Sequence, residues 1–303
     1  MMASRSAAVI PAKGIGDALL MMIASHHLLK AGYKVTTFHP QMKELESWFP
    51  GHHFESIPPS DFFHFDLVIF ENDNSQRIQK LLNGSVFYPT YSPDKHGPLF
   101  ALDQVFNSDL PMVDNIAHGI ANLLHLPGIS KDNGLLPPSH LSFRHHEKRI
   151  VLHPCSNDAE KNWPKRKFLS VAHVLRKKGY EPVFATSLSE QEDWKDVEQE
   201  GFSLPSFSNL SALATFLYES GYLVGNDSLL GHLASNMHLP TLIIANDEKR
   251  MRLWRPAWRL GAVITPSLLL PNFKPLRLRK KHWKCWISST KVLRTFSRLS
   301  TTL

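Results

Sequence analysis

The sequence predicts an α/β protein of two domains, each built on a doubly wound parallel sheet, followed by a closing helix. Three observations carry that prediction. Short apolar or β-branched runs alternate with helical patterns through both halves, which is the rhythm of βαβ units. A polar, proline-bearing stretch from Leu135 to Arg149 separates the halves. In each half a cluster of glycines or small polar residues directly follows a strand, where open parallel sheets bind their ligands. The domains are expected at 1–141 and 142–273, facing a cleft, with the closing helix at 274–303.

In the first half, Ala7 to Ile10 reads as a short apolar strand running into the loop Pro11-Ala12-Lys13-Gly14-Ile15-Gly16. Asp17 opens a helical run through Lys30 that Gly32 closes. Lys34 to Phe38 is β-branched and reads as the next strand, and Phe65 to Phe70 as a continuous apolar strand covered on both faces. Tyr88 to Pro111, richer in proline, glycine and aspartate, reads as a loop.

In the second half, strands are expected at Ile150 to His153, Pro182 to Ala185, Tyr222 to Gly225, Thr241 to Ala245 and Ala262 to Thr265. Helices are expected over Phe168 to Lys178 and Ser211 to Ser220, and from the cap Asn226-Asp227-Ser228 through Met237. Lys281 to Leu299 places Trp283, Trp286, Ile287, Thr290, Leu293 and Phe296 on one helical stripe. Lys284, Lys291, Arg294 and Arg298 surround it. That pattern fits either a helix packed on the body or a basic amphipathic helix resting on anionic lipid.

Composition narrows the function classes. The 303 residues contain two cysteines, Cys155 and Cys285, with no CxxC pair, so a disulfide framework and a cysteine zinc site are both excluded. The apolar patch Ala18 to Ala24 is too short to span a bilayer, and no leader pattern precedes it, so the chain reads as cytoplasmic. The 17 histidines include the pairs His26-His27, His52-His53 and His145-His146, and none falls in a metal-ligand spacing. Charge is uneven. Glu248 is the last carboxylate, and the fourteen Lys and Arg residues after it leave −7 for the rest of a chain whose net charge is +7. Such asymmetry suits an anionic partner: phosphate groups, nucleic acid or a membrane surface.

Three clusters carry candidate chemistry. In the first, Gly14 and Gly16 let backbone approach a ligand beside a helix N-terminus, and Asp17 reads as either a helix cap or a functional carboxylate. In the second, His153-Pro154-Cys155-Ser156-Asn157 follows a strand, and Ser156, Asn157 and the nearby Lys161 suit phosphate. In the third, Gly225-Asn226-Asp227-Ser228 runs into a helix whose His232 shares a face with Ser228.

Taken in order, these clusters resemble glycosyltransferase family 9, the heptosyltransferases of lipopolysaccharide assembly. Gly14-Ile15-Gly16-Asp17-Ala18-Leu19 is similar to the family's GxGD start. His153-Pro154 through Lys161-Asn162-Trp163-Pro164 and Phe168 is similar to its H-P…K-x-W-P…F motif. Asn226-Asp227-Ser228 through His232-Leu233-Ala234 is similar to its N-D-[ST]-G-x-x-H-L-A signature. The resemblance covers most of the chain.

It implies the B-type glycosyltransferase fold, an inverting mechanism, and no metal or cofactor beyond a nucleotide-sugar substrate such as ADP-heptose. Asp17 would be the general base and Lys161 would offset charge on the leaving nucleotide. Ser156, Asn157, Asp227, Ser228 and His232 would hold the diphosphate, and Glu190 the ribose hydroxyls. The implied partners are a lipid-linked, anionic glycan acceptor and the inner face of the inner membrane.

Two positions depart from the family: Leu229 stands where it has glycine, with Gly231 two residues on as a partial substitute, and Cys155 stands where it has glycine after His-Pro. Two other readings compete. One is a catalytically silent relative that binds membrane or nucleic acid through the basic end. Nucleic acid is the weaker partner, because the aromatics Trp254, Trp258, Trp283 and Trp286 have the spacing of packed helices. The other is a nucleotide-sugar 2-epimerase, which lacks a convincing set of acids and histidines.

Overall fold

The structure, a computed structural model, describes residues 5–60, 62, 64–72, 87–90, 107–259, 261–266 and 282–301. The chain divides into two compact units, Met1–Pro138 and Ser139–Leu303. Among the described residues each holds a five-stranded sheet whose pairings are all parallel, as the βαβ rhythm predicts.

In the first unit the strands are β1 (Ser6–Ile10), β2 (Lys34–Phe38), β3 (His53–Glu55), β4 (Leu67–Asn72) and β5 (Phe87–Thr90). Their order is β3-β2-β1-β4-β5, so the chain changes direction across the sheet between β1 and β4. Helix α1 (Ile15–Lys30) follows β1, and every residue from Ala18 to Ser25 is buried. The apolar patch is therefore core, wedged between the sheet and α2 (Met112–Leu123). The structure corrects the loop expected from Tyr88 to Pro111, since Phe87–Thr90 pairs with β4. Residues 91–106 of that stretch lie outside the described residues.

Of the histidine pairs in this unit, His27 and His52 are buried and His53 is exposed. His26 Nδ1 meets His52 Nε2 at 3.2 Å, and His26 Nε2 meets Asp132 Oδ2 at 3.1 Å. Burial, aided by the neighbouring His26, pulls the His52 pKa down to about 4.

In the second unit the strands are β6 (His146–His153), β7 (Glu181–Phe184), β8 (Ser220–Asn226), β9 (Thr241–Ile244) and β10 (Ala262–Ile264). The order β10-β9-β8-β6-β7 puts the switch point between β6 and β8. Helices α3 (Lys165–Lys177), α4 (Gln191–Trp194), α5 (Leu210–Tyr218), α6 (Leu229–Asn236) and α7 (Glu248–Trp254) connect the strands. An aromatic core of Trp163, Phe168, Phe184, Trp194 and Phe202 fills the space between α3 and the sheet. Each such side chain contributes roughly 1.5–3 kcal/mol by leaving water.

The C-terminal stripe is corrected. It breaks at Ile287-Ser288 into α8 (Trp283–Trp286) and α9 (Ser289–Thr301). The break rotates the pattern, so Val292 and Phe296 are buried while Trp286 is 44% exposed. Phe296 packs edge-on against Tyr180 and Tyr222, so the apolar face of α9 is spent on the core. Lys291, Arg294 and Arg298, spaced by three and four, stay on its outer face. Residues 274–281 of the expected closing segment lie outside the described residues. No helix among the described residues is long and apolar enough to cross a membrane.

Candidate functional site

In the first unit the glycine loop leaves β1 at the switch point and is fixed from both sides. Glu71, buried at the end of β4, accepts from the Ala12 amide at 3.0 Å. His39 Nε2 donates to the Lys13 carbonyl at 3.2 Å. Gly14, not Asp17, is the N-cap of α1, and Asp17 is half-buried at the third helical position. A Cβ on Gly14 would meet the Asp17 carboxylate, so a larger residue there would have to turn that side chain away from its present position. The helix N-terminus favours the carboxylate's negative charge. Gly16 lies one residue before it in the same turn. Glu71 and His39, the supports of this loop, carry no local sequence signal.

In the second unit the loops after β6, β7 and β8 meet at the carboxyl edge of the sheet. His153 Nδ1 donates to the Ala185 carbonyl at 2.7 Å, tying β6 to the loop after β7. Burial holds that imidazole's pKa below its ordinary value. Burial, then the Glu190 carboxylate, pushes the Cys155 thiol up to about 12, so the residue in place of glycine is an inert thiol. The single Ser156 hydroxyl proton stays within its own loop, shared between Asn162 Oδ1 at 2.7 Å and Asp158 O at 2.9 Å. Asn157 is exposed. Lys161 ends a one-turn 3-10 helix, Ala159–Lys161, and its ammonium meets no partner among the described residues. The Glu190 carboxylate accepts from the Ser187 amide at 3.0 Å and its hydroxyl at 2.6 Å.

The loop after β8 carries the most informative arrangement. Asn226, fully buried, accepts from the Trp163 amide at 3.1 Å and donates to the Pro154 carbonyl, locking the β6 and β8 loops together. Asp227 pairs with Arg250 of α7 at 3.4 Å. Ser228 occupies the N-cap position of α6 but makes no capping bond, which corrects the capping expected of it. Its hydroxyl and His232 Nδ1 are buried, and both lack a partner among the described residues. Thr186 Oγ1, just past β7, is in the same state. An unsatisfied buried group costs ~1–3 kcal/mol, so such groups at the crevice of an open sheet point to a polar ligand.

Gly231 is no substitute for the glycine replaced by Leu229. Its missing Cβ would meet Ile243 Cδ1 at 2.7 Å and Pro256 Cγ at 3.2 Å, so it serves the packing of α6 on β9. Leu229 itself is half-buried at the first helical position. Among the described residues no three His, Cys, Asp or Glu side chains form a group that could hold a metal ion. Sequence reading missed Arg250, Thr186 and the role of Asn226. The cap Asp247, which accepts from the Lys249 and Arg250 amides, is the one signal that could have revealed α7.

His232 gives a pH prediction. Burial pulls its pKa down to about 4, against the opposing pull of Asp227. The unfolded chain takes up this proton near the ordinary imidazole value of 6.5, the folded chain only near 4. Stability is therefore complete above about pH 6.5 and falls toward pH 4, by about 1.4 kcal/mol per pH unit within the window. His52, displaced the same way, adds a term of the same sign. Urea unfolding at pH 7.5, 6 and 5 should show a shallower pH slope for His232→Asn than for the wild type, and equal slopes would contradict a neutral buried His232.

Residues 126–260 match the family model of glycosyltransferase family 9 (heptosyltransferase). The segment spans both clusters of the second unit. No curated protein matches the sequence. Several solved structures share the fold. The Escherichia coli ADP-heptose lipopolysaccharide heptosyltransferase II is 17% identical, with 98% of this chain and 99% of that one covered at a TM-score of 0.70. A family 9 glycosyl transferase from Veillonella parvula is 15% identical, with 100% and 99% covered at 0.69. The E. coli heptosyltransferase WaaC with ADP-2-deoxy-2-fluoro heptose is 12% identical, with 97% and 99% covered at 0.72. The fold is thus that of the B-type glycosyltransferases.

Proposed function

From the premise that residues 126–260 match the family model of glycosyltransferase family 9, we propose that the protein is an inverting sugar transferase with an ADP-heptose-like donor held by its second unit. The observation that carries this reading is the pair of buried, unpartnered groups, Ser228 Oγ and His232 Nδ1, on the first turns of α6. The first amides of a helix have no intrahelical partner and favour an anion. A diphosphate there would satisfy the amides, the Ser228 hydroxyl and the neutral His232 ring together. WaaC is described with an ADP-sugar analogue bound, which supports the choice of nucleotide.

In the proposed reaction the acceptor hydroxyl attacks the anomeric carbon and passes its proton to Asp17. The bond from that carbon to the diphosphate oxygen breaks, leaving the nucleoside diphosphate. Lys161 offsets the charge gained by the leaving group. Asn157 and Ser156 line the phosphate loop, with Ser156 chiefly holding its shape. Asp227, already paired, orients Arg250 toward the phosphates rather than touching them, since like charges repel. Glu190 offers its carboxylate to the ribose hydroxyls. No step of this reaction calls for a metal. The acceptor is taken to be an anionic, lipid-linked glycan met at the inner face of the inner membrane, a reading supported by the carboxylate-free stretch from Lys249 onward.

Calorimetry of ADP and UDP on the full chain tests the proposal. Selective ADP binding supports it, and no binding of either nucleotide favours a catalytically silent relative instead. Ser228→Ala sharpens the test. Removing a hydroxyl with no partner among the described residues should leave stability within about 0.5 kcal/mol, while ADP binding weakens roughly tenfold or more through loss of a bond to a charged group. A marked drop in the melting midpoint would show instead that the hydroxyl serves the fold.

A further inference from the structure

The stretch Trp283–Ile287 folds back onto the loop that carries Lys161. Trp283, 2% exposed, donates its indole N–H to the Glu160 carbonyl at 3.0 Å. Lys284 Nζ donates to the Ala159 carbonyl at 3.2 Å. In the opposite direction, Trp163 Nε1 donates to the Ile287 carbonyl at 3.1 Å. Lys167 Nζ, from α3, reaches the Lys284 and Ile287 carbonyls at 2.6 and 2.7 Å. The two residues before Lys161 and the second residue after it are thus held by one short piece of chain. Asn226 fixes the same loop from the sheet side, through the Trp163 amide. Lys161's own local bond is from its amide to the Asp158 carbonyl.

We propose that Trp283 is a positioning residue for Lys161, fixing the Ala159–Lys161 turn so that the ammonium is presented to the diphosphate of a nucleotide. This rests on the donor-site reading above. A lysine stem has several rotatable bonds, and anchoring its Cα lowers the entropy lost when the ammonium engages a ligand. A buried indole bonded to a loop carbonyl is well suited to that task, because its ring is held by the core while its N–H reaches outward.

The test uses Trp283→Phe, which keeps an aromatic ring and removes the N–H donor. Two quantities are read on the full chain: the ADP Kd by calorimetry, and amide hydrogen exchange over residues 158–163 without nucleotide. Loss of one such bond should weaken ADP binding about fivefold and speed exchange in the turn by a similar factor. In a Lys161→Ala background the same substitution should weaken ADP binding by less than about twofold, because Trp283 acts through Lys161.

Wild-type affinity in Trp283→Phe, or an equal loss in both backgrounds, overturns the proposal. Should Trp283→Phe fail to fold, Lys284→Met takes its place. It removes the neighbouring bond to Ala159, and about a twofold loss with faster exchange is expected there. No change in either quantity overturns the proposal. Wild-type protein that binds neither ADP nor UDP overturns the donor-site reading and this one with it. Normal wild-type binding with an unaffected Trp283→Phe overturns this one alone.

Discussion

Asp17→Asn should lower the sugar-transfer rate by roughly 10²–10⁴-fold, the usual worth of a general base, while ADP affinity stays at the wild-type value. Asparagine keeps the shape and lies against Gly14 as the carboxylate does. What it loses, under the proposed mechanism, is the ability to accept the acceptor's proton. The negative charge near the α1 N-terminus goes too, so a stability loss of ~0.3–1 kcal/mol is expected. That cost is far too small to explain the rate. Transfer measured with saturating donor and a lipid-linked acceptor decides the matter. A rate within a few-fold of wild type would take Asp17 out of the chemistry and leave it as the carboxylate that orders the first turn of α1.

Lys161→Ala should weaken ADP binding by about 10–100-fold, the range for a bond between charged groups. The transfer rate should fall as well, since charge on the leaving diphosphate grows in the transition state. The stability cost should be small, because the Lys161 ammonium makes no hydrogen bond or ion pair with a described residue and the side chain is only half-buried. Lys161→Arg should recover part of the affinity and less of the rate, because the guanidinium carries the charge on a wider, planar head. Unchanged ADP binding in Lys161→Ala would place the diphosphate elsewhere and leave Arg250 as the cation of the site.

The parts of this fold that declare themselves in sequence are those held by local patterns. Lys34–Phe38 is bounded as read, since a β-branched run between Gly32 and His39 has no competing helical period. The β6 and β8 loops are likewise visible, because small polar residues after a strand have few other uses. Phe87–Thr90 was hidden because a proline inside it argues against a strand. Only pairing with β4 reveals it. The break at Ile287-Ser288 was hidden because a continuous apolar stripe looks the same whether or not the helix is interrupted. Arg250 could not be assigned to the site from sequence, since its partner Asp227 sits on another element. The unsatisfied Ser228 and His232 atoms are also beyond sequence. A capping serine and a core histidine would be written with the same letters.

The bonds from Trp283 and Trp163 across the unit have a consequence for biogenesis. They join residues 123 and 124 positions apart. During synthesis at ~5–20 residues per second, the loop after β6 therefore leaves the ribosome roughly 6–25 seconds before the segment that secures it. The other four strands of the sheet that supports the loop, β7 to β10, are translated in that interval. The nascent second unit should acquire its secondary structure first and its full grip on a nucleotide only when the last helices emerge.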